Sequence, residues 1–164
     1  MDVRFQKAEE KDADILVCLR KRIWLSTYRG IYPDELLDEY DAKYHKQRDL
    51  MRIRNPHYHV YLIVKEKSIG YFYFEHKQTL HIQSLYILKE HQREGIGARV
   101  FSFIREYCKA NGLKEFTCNC NELNLSARGF YEHLGGKIIR IETGHENKRE
   151  DQITYLFQTE NQGE

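Results

Sequence analysis

Excess charge is what this chain most conspicuously lacks. Its 26 lysines and arginines face 25 aspartates and glutamates, leaving +1 over 164 residues. Balance of that kind asks for neither a nucleic-acid partner nor an anionic membrane, although 26 basic residues leave room for a local stripe. Long apolar runs are missing too, and nothing approaches the roughly 20 residues that cross a bilayer. The start, Met1-Asp2-Val3-Arg4, carries an acid where a secretory leader carries positive charge. The expectation is a soluble, cytoplasmic protein with no nucleic-acid or membrane partner. Proline is scarce, Pro33 and Pro56 alone, so most of the chain is free to form regular elements. The four cysteines, Cys18, Cys108, Cys118 and Cys120, contain no Cys-x-x-Cys pair and no Cys/His set at zinc spacing. His57 and His59 have no evident partners, so no metal is expected and the thiols are expected to be buried and reduced.

Two phosphate-binding signatures are also absent. A Rossmann turn needs a third glycine where this chain has Val100, and a P-loop needs Gly-Lys-Ser/Thr. What stands instead is His91-Gln92-Arg93-Glu94-Gly95-Ile96-Gly97-Ala98-Arg99, between a strand-like run (80–88) and a helix-like run (96–109). Two glycines one residue apart permit a sharp turn and open access to the peptide groups. The first amides of a helix have no intrahelical partner, and the dipole makes that end positive. A glycine turn leading into a helix N-terminus is thus an anion site.

The spacing Gln92-x-x-Gly95-x-Gly97 resembles the pyrophosphate loop of the GNAT superfamily of N-acetyltransferases. A second stretch, 124–136, resembles that superfamily's other signature. Asn124, Ala127, Phe130, Tyr131, Leu134 and Gly135 fall on its pattern, and Gly136 departs from it where Phe is usual. The resemblance covers residues 3–157 and is sharpest over 80–136. It implies an α/β fold with a mixed sheet, in the order β-α-α-β-β-β-α-β-α-β-β. The parallel fourth and fifth strands, 80–88 and 116–120, splay at their C-terminal ends. An unpaired strand edge there can accept the amides of pantetheine.

Periodicity along the chain fits that order. Residues 3–7 alternate as a strand. Asp12 can cap a helix whose apolar face carries Ile15, Leu16, Leu19 and Ile23. Pro33 suits the first turn of a second helix with Leu36, Leu37 and Tyr40 on its stripe, a pattern that weakens after Tyr44. Runs 59–65 and 69–76 read as a hairpin, and Ile96, Val100, Phe101, Ile104 and Cys108 as one helix face. Segments 116–120, 126–134, 137–141 and 153–157 complete the set. One domain is expected over 1–157, with a frayed tail from 158 to 164.

The resemblance implies acetyl-CoA as co-substrate, transferred to a primary amine by direct attack in a ternary complex. Amides of Arg93, Glu94, Gly95, Ile96, Gly97 and Ala98, with Gln92, would hold the pyrophosphate. The N–H of Leu85 would polarise the thioester carbonyl, and the backbone of Tyr86 and Ile87 would pair with pantetheine. Asn124, with Ala127 and Phe130 on its helix, would meet the pantetheine arm, Ser126 being the competing helix cap. Tyr131 would protonate the leaving thiolate, its ordinary pKa near 10 suiting a thiol of somewhat lower pKa. His81, eleven residues before Gln92, and Glu75 on the neighbouring strand are rival bases for the amine. Five carboxylates, Asp34, Glu35, Asp38, Glu39 and Asp41, follow the aromatic group Trp24, Tyr28 and Tyr32. They suit a small cationic amine such as a polyamine, a peptide amine being the other acceptor in view, or else only a solvated helix start. A binding module that holds acyl-CoA without transfer is the alternative from another class. Whether the chain forms a homodimer is left open by its sequence.

Overall fold

The computed structural model describes residues 2–38, 40–146 and 151–160, the side chains of Leu36 and Asp38 excepted. Its elements are β1 (Arg4–Lys7), α1 (Ala13–Tyr28), α2 (Asp34–Asp38), α3 (Ala42–Arg54), β2 (Tyr58–Val64), β3 (Ser68–His76), β4 (Leu80–Ile87), α4 (Ile96–Ala110), β5 (Glu115–Asn121), α5 (Leu125–His133), β6 (Lys137–Glu142) and β7 (Gln152–Gln158). They form a seven-stranded mixed sheet in the order β1-β2-β3-β4-β5-β7-β6. Only β4 and β5 are parallel; the other neighbours are antiparallel.

The expected order holds except before β2, where three helices stand in place of two. α2 is short, and α3 fills the stretch whose apolar pattern fades after Tyr44. Asp41 starts α3 by accepting the Tyr44 N–H at 3.0 Å. The helix is then fixed by an ion pair in place of an apolar stripe. Asp49, 2% exposed, receives both ends of the Arg20 guanidinium at 2.5 and 2.7 Å, and Arg52 adds a bond at 3.2 Å. A bidentate pair of this kind is strong and directional. It ties α3 to α1 and lays Arg20 over the Tyr71 ring at 5.2 Å.

Three local expectations are corrected. Ile15 is 42% exposed, because the buried face of α1 runs through Leu16, Leu19, Arg20 and Ile23 and Ile15 sits one residue off it. The Asp12 carboxylate accepts the Glu9 N–H at 2.8 Å, closing a 3₁₀ turn (Glu10–Asp12) ahead of α1 and not capping α1 itself. The tail is not frayed from 158: Gln158 ends β7. Thr159 is buried, with its N–H on Lys114 O at 2.8 Å and its hydroxyl on Leu113 O at 2.7 Å. Residues 161–164 of that tail lie outside the described residues.

The core lies between the sheet and its helices. Ile96, Val100, Phe101, Ile104 and Cys108 of α4 are all buried. Phe101 meets Phe157 with ring centroids 4.9 Å apart, and Phe116 stacks on Phe157 at 5.3 Å. Cys108, Cys118 and Cys120 are buried free thiols, whereas Cys18 is exposed, against expectation. Among the described residues no helix is long and apolar enough to cross a membrane.

Candidate active site

The parallel strands separate almost as soon as they meet. β4 and β5 pair only at His81↔Thr117 and Ile82↔Cys118. The next residue, Gln83, is a bulge: on β3, Phe74 faces Ile82 and Tyr73 faces Ser84, leaving Gln83 without an opposite. A bulge bends and twists its strand, here at the point where β4 leaves β5. From there to Ile87 the edge of β4 that faces β5 has no strand partner among the described residues. A cleft of about 720 Å³ opens along it, bounded by β4, the glycine loop, β5, α5 and the end of α1. That volume suits a cofactor-sized ligand. Leu85, Tyr86 and Ile87 lie on its wall, as do Gln92, Arg93, Gly95, Ile96, Gly97, Ala98, Asn124, Ala127, Phe130 and Tyr131.

The loop at one end is an anion cradle in geometry. Arg93 (φ 65°) and Gly95 (φ 78°) both take the left-handed conformation, which turns successive amides toward one side. The first bond of α4 runs from Arg99 N to Gly95 O at 3.2 Å, so the amides of Ile96, Gly97 and Ala98 project from the helix end. Gln92 braces the loop by donating to Ile87 O at 3.0 Å. The side chain of Glu94 leaves the cleft and meets Lys65 at 3.2 Å. Lys89 and His91 also line the wall, two side chains that the glycine pattern does not mark, and the Arg93 side chain joins them.

The two glycines are required for different reasons. At Gly95 a Cβ would meet open space, so only the backbone conformation demands glycine there. At Gly97 a Cβ would stand 2.5 Å from the Phe130 ring. The absent side chain at Gly97 therefore makes room for the Phe130 ring. Gly97→Ala should cost about 1–3 kcal/mol through overpacking, and Phe130→Leu in that background should recover part of it. Urea unfolding of the single and double variants checks this.

Asn124, not Ser126, caps α5: its Oδ1 accepts the Ala127 N–H at 3.2 Å. Asn outranks most residues at that position, and the cap leaves only its amide NH₂ for a ligand. Tyr131 is 6% exposed and packed against Phe130, Tyr155 and Phe101 at 5.4, 5.7 and 6.0 Å. Burial, together with the neighbouring Cys118 thiol, pushes its hydroxyl well above 10. Burial likewise pushes Cys118 up to about 12 and Cys120 to about 11. Both line the cleft, as protonated thiols unsuited to nucleophilic attack near neutrality.

His81 and Glu75 are not brought to this cleft. They face one another across β3 and β4, below the splay and outside the cleft lining. His81 Nδ1 is 2.6 Å from Thr117 Oγ1, where β4 and β5 are still paired. Burial lowers its pKa, which Glu75 only partly offsets.

At the other end, α1 delivers Ser26, Thr27 and Tyr28. The Tyr28 and Tyr86 hydroxyls are 2.9 Å apart, and Tyr28 stacks on Tyr32 at 4.6 Å. Burial pushes Tyr28 up to about 12. Trp24 packs edge-on against Tyr28 at 5.7 Å, behind the cleft wall. Of the acids that were expected to sense a cation, the described Asp34, Glu35 and Asp41 are absent from the cleft lining. Asp34 pairs with Arg29 at 3.0 Å, and Asp41 caps α3. Glu39 and the side chain of Asp38 lie outside the described residues. Among the described residues, no three His, Cys, Asp or Glu side chains converge as a metal site.

Solved structures share this fold. No curated protein sequence matches the chain, but solved structures do. The PaiA N-acetyltransferase of Thermoplasma acidophilum, in complex with coenzyme A, superposes with a TM-score of 0.81 at 19% identity, over 96% of this chain and 99% of that one. The ribosomal-protein-S18-alanine N-acetyltransferase of Escherichia coli gives 0.72 at 15%, over 99% and 97%. A variant of the SpeG spermidine N-acetyltransferase of Vibrio cholerae gives 0.70 at 14%, over 96% and 94%. At such identities the likeness speaks for the fold. The family model described as acetyltransferase (GNAT) matches residues 21–136, across the splayed strands, the glycine loop and all of α5, and the chain belongs to that family.

Proposed function

We propose that this protein transfers an acetyl group from acetyl-CoA to a primary amine by direct attack within a ternary complex in the β4–β5 cleft. The observation that carries this reading is the continuity of the cleft, from the amides of residues 93–98, past Tyr131, to the Tyr28–Tyr86 hydroxyl pair. The pyrophosphate would rest on the loop amides, pantetheine would lie along residues 85–87, and the thioester sulfur would come to Tyr131. The amine nitrogen attacks the carbonyl carbon while a β4 amide, assigned here to Leu85, supports the oxyanion. The C–S bond then breaks, and the Tyr131 hydroxyl passes its proton to the sulfur. The amine proton leaves through water, since His81 and Glu75 stand off the cleft. The acceptor amine is small or peptide-borne, as are those named for the structural neighbours, alanine of a ribosomal protein and spermidine. It enters beside Ser26, Thr27 and Tyr28.

A thiol-release assay over an amine panel tests this. Amine-dependent release of CoA, with the acetylated amine seen by mass spectrometry, is the expected result. Acetyl-CoA binding with no release for any amine would replace the enzyme by an acyl-CoA sensor. A second expectation concerns the base. His81→Gln should leave the pH–rate profile unchanged and kcat/KM within about threefold, because the ascending limb belongs to the amine itself. Loss of that limb in the variant would return His81 to the mechanism.

A further inference from the structure

Among the described residues the sheet ends on an open strand. β6 is its last member, and all six of its residues are exposed. Ile138, Ile139 and Ile141 are 40%, 55% and 57% exposed. Unpaired backbone groups beside three isoleucines form an edge that soluble proteins ordinarily blunt or cover.

The pairing with β7 shows how that edge is patterned. Ile138 faces Tyr155 and Arg140 faces Thr154, so Ile139 is a bulge residue. The extra residue resets the alternation. Ile138 and Ile141, opposite Tyr155 and Ile153, share the face on which those two residues are buried. Lys137, Arg140 and Glu142, opposite Leu156, Thr154 and Gln152, share the other face. Arg140 and Glu142 already pair there at 3.2 Å.

We propose that a second copy of this chain covers the edge, the two β6 strands pairing antiparallel about a two-fold axis between Ile139 and Arg140. In that register Lys137 lies opposite Glu142 of the partner subunit, and Ile138 opposite Ile141 of the partner subunit. Each pair occurs twice. The two members of each pair also share a sheet face, as opposite residues of an antiparallel ladder must. Neighbouring registers lack this match. A slip one way sets Lys137 against Ile141 of the partner subunit, and a slip the other way sets Arg140 against its own copy. Charge and apolar pattern therefore select one self-complementary contact, as a two-fold interface requires. Six residues a side is small against the roughly 1,200–2,000 Å² of a standard interface, so the dimer should dissociate on dilution.

Sedimentation velocity of the full chain, from about 1 μM to about 500 μM, is the test. The wild type should pass from monomer to dimer across that range. Lys137→Glu should weaken association about tenfold by setting like charges opposite each other twice. Lys137→Glu combined with Glu142→Lys should restore it to within about threefold. Ile141→Lys, a lysine of the sort that protects natural edges, should remain monomeric. An unchanged melting temperature, with or without CoA, certifies the fold of each variant, and β6 lies outside the acyl-transfer cleft. A wild type monomeric throughout, an Ile141→Lys variant that still dimerises, or a charge swap that fails to restore the dimer would each overturn the proposal.

Discussion

Tyr131→Phe should lower kcat about a hundredfold or more, with acetyl-CoA binding retained. The substitution keeps the ring that packs on Phe101, Phe130 and Tyr155 and removes only the hydroxyl. Two consequences separate this from a packing defect. The melting temperature should barely move, because the ring packing is kept and a single hydroxyl contributes little net stability. The pH profile of the wild type is the other. Burial raises the Tyr131 pKa well above 10, so the proton donor stays loaded as pH rises through the neutral and mildly alkaline range. The rate should climb with deprotonation of the amine and show no descending limb below about pH 10. A variant within twofold of wild type would remove Tyr131 from the reaction. A descending limb near neutrality that vanishes in the Phe variant would mean that its hydroxyl titrates far lower than its burial implies.

Asp49→Ala should be the most damaging substitution away from the cleft. It would leave the Arg20 guanidinium, whose side chain is 8% exposed, without its carboxylate, and Arg52 would lose its bond as well. Breaking one side of a buried pair costs about 3–5 kcal/mol. For a chain of this size that lowers the melting temperature by about 10 °C. Replacing both partners, as Arg20→Met with Asp49→Leu, should cost less than the single change, because no charge is then stranded. Urea unfolding of the three variants decides it, and a loss below about 1 kcal/mol in Asp49→Ala would show that the pair is well hydrated. The effect should reach function. The pair locks α3 onto α1, and the C-terminal end of α1 carries Ser26, Thr27 and Tyr28 to the cleft. A raised KM for the amine, with that for acetyl-CoA spared, is the expected trace.

Those two residues differ in how far the sequence could expose them. Tyr131 sits in a short motif, and its place beside the cleft follows from the motif's order after the glycine loop. Asp49 was invisible. A helix held largely by ion pairs, Asp49 to Arg20, Lys46 to Asp14 and Arg54 to Glu10, shows no clear apolar periodicity, so α3 does not stand out in the sequence. The loop was legible for a comparable reason: left-handed backbone and free helix amides are local properties, written in Gly95 and its neighbours. The role of Gly97 was not, because the ring that forbids its Cβ arrives from α5. His81 was misplaced by one feature, the bulge at Gln83. Spacing along a strand says nothing about where a partner strand departs, and His81 falls on the paired side of that point. The choice between Asn124 and Ser126 as cap turned on a two-residue difference in the start of α5, which begins at Leu125. The tail read as frayed because Gln158 and Thr159 are polar, yet both are held by backbone partners that sequence cannot display.

Hydrogen exchange of the full chain with and without acetyl-CoA tests the central claim most directly. The cleft reading expects one site per chain with a dissociation constant of about 1–100 μM. Slowed exchange should be confined to residues 83–87 and 93–98 and to the first turn of α5. Binding that protects other segments and leaves those unchanged, or no binding at about 1 mM, would contradict it.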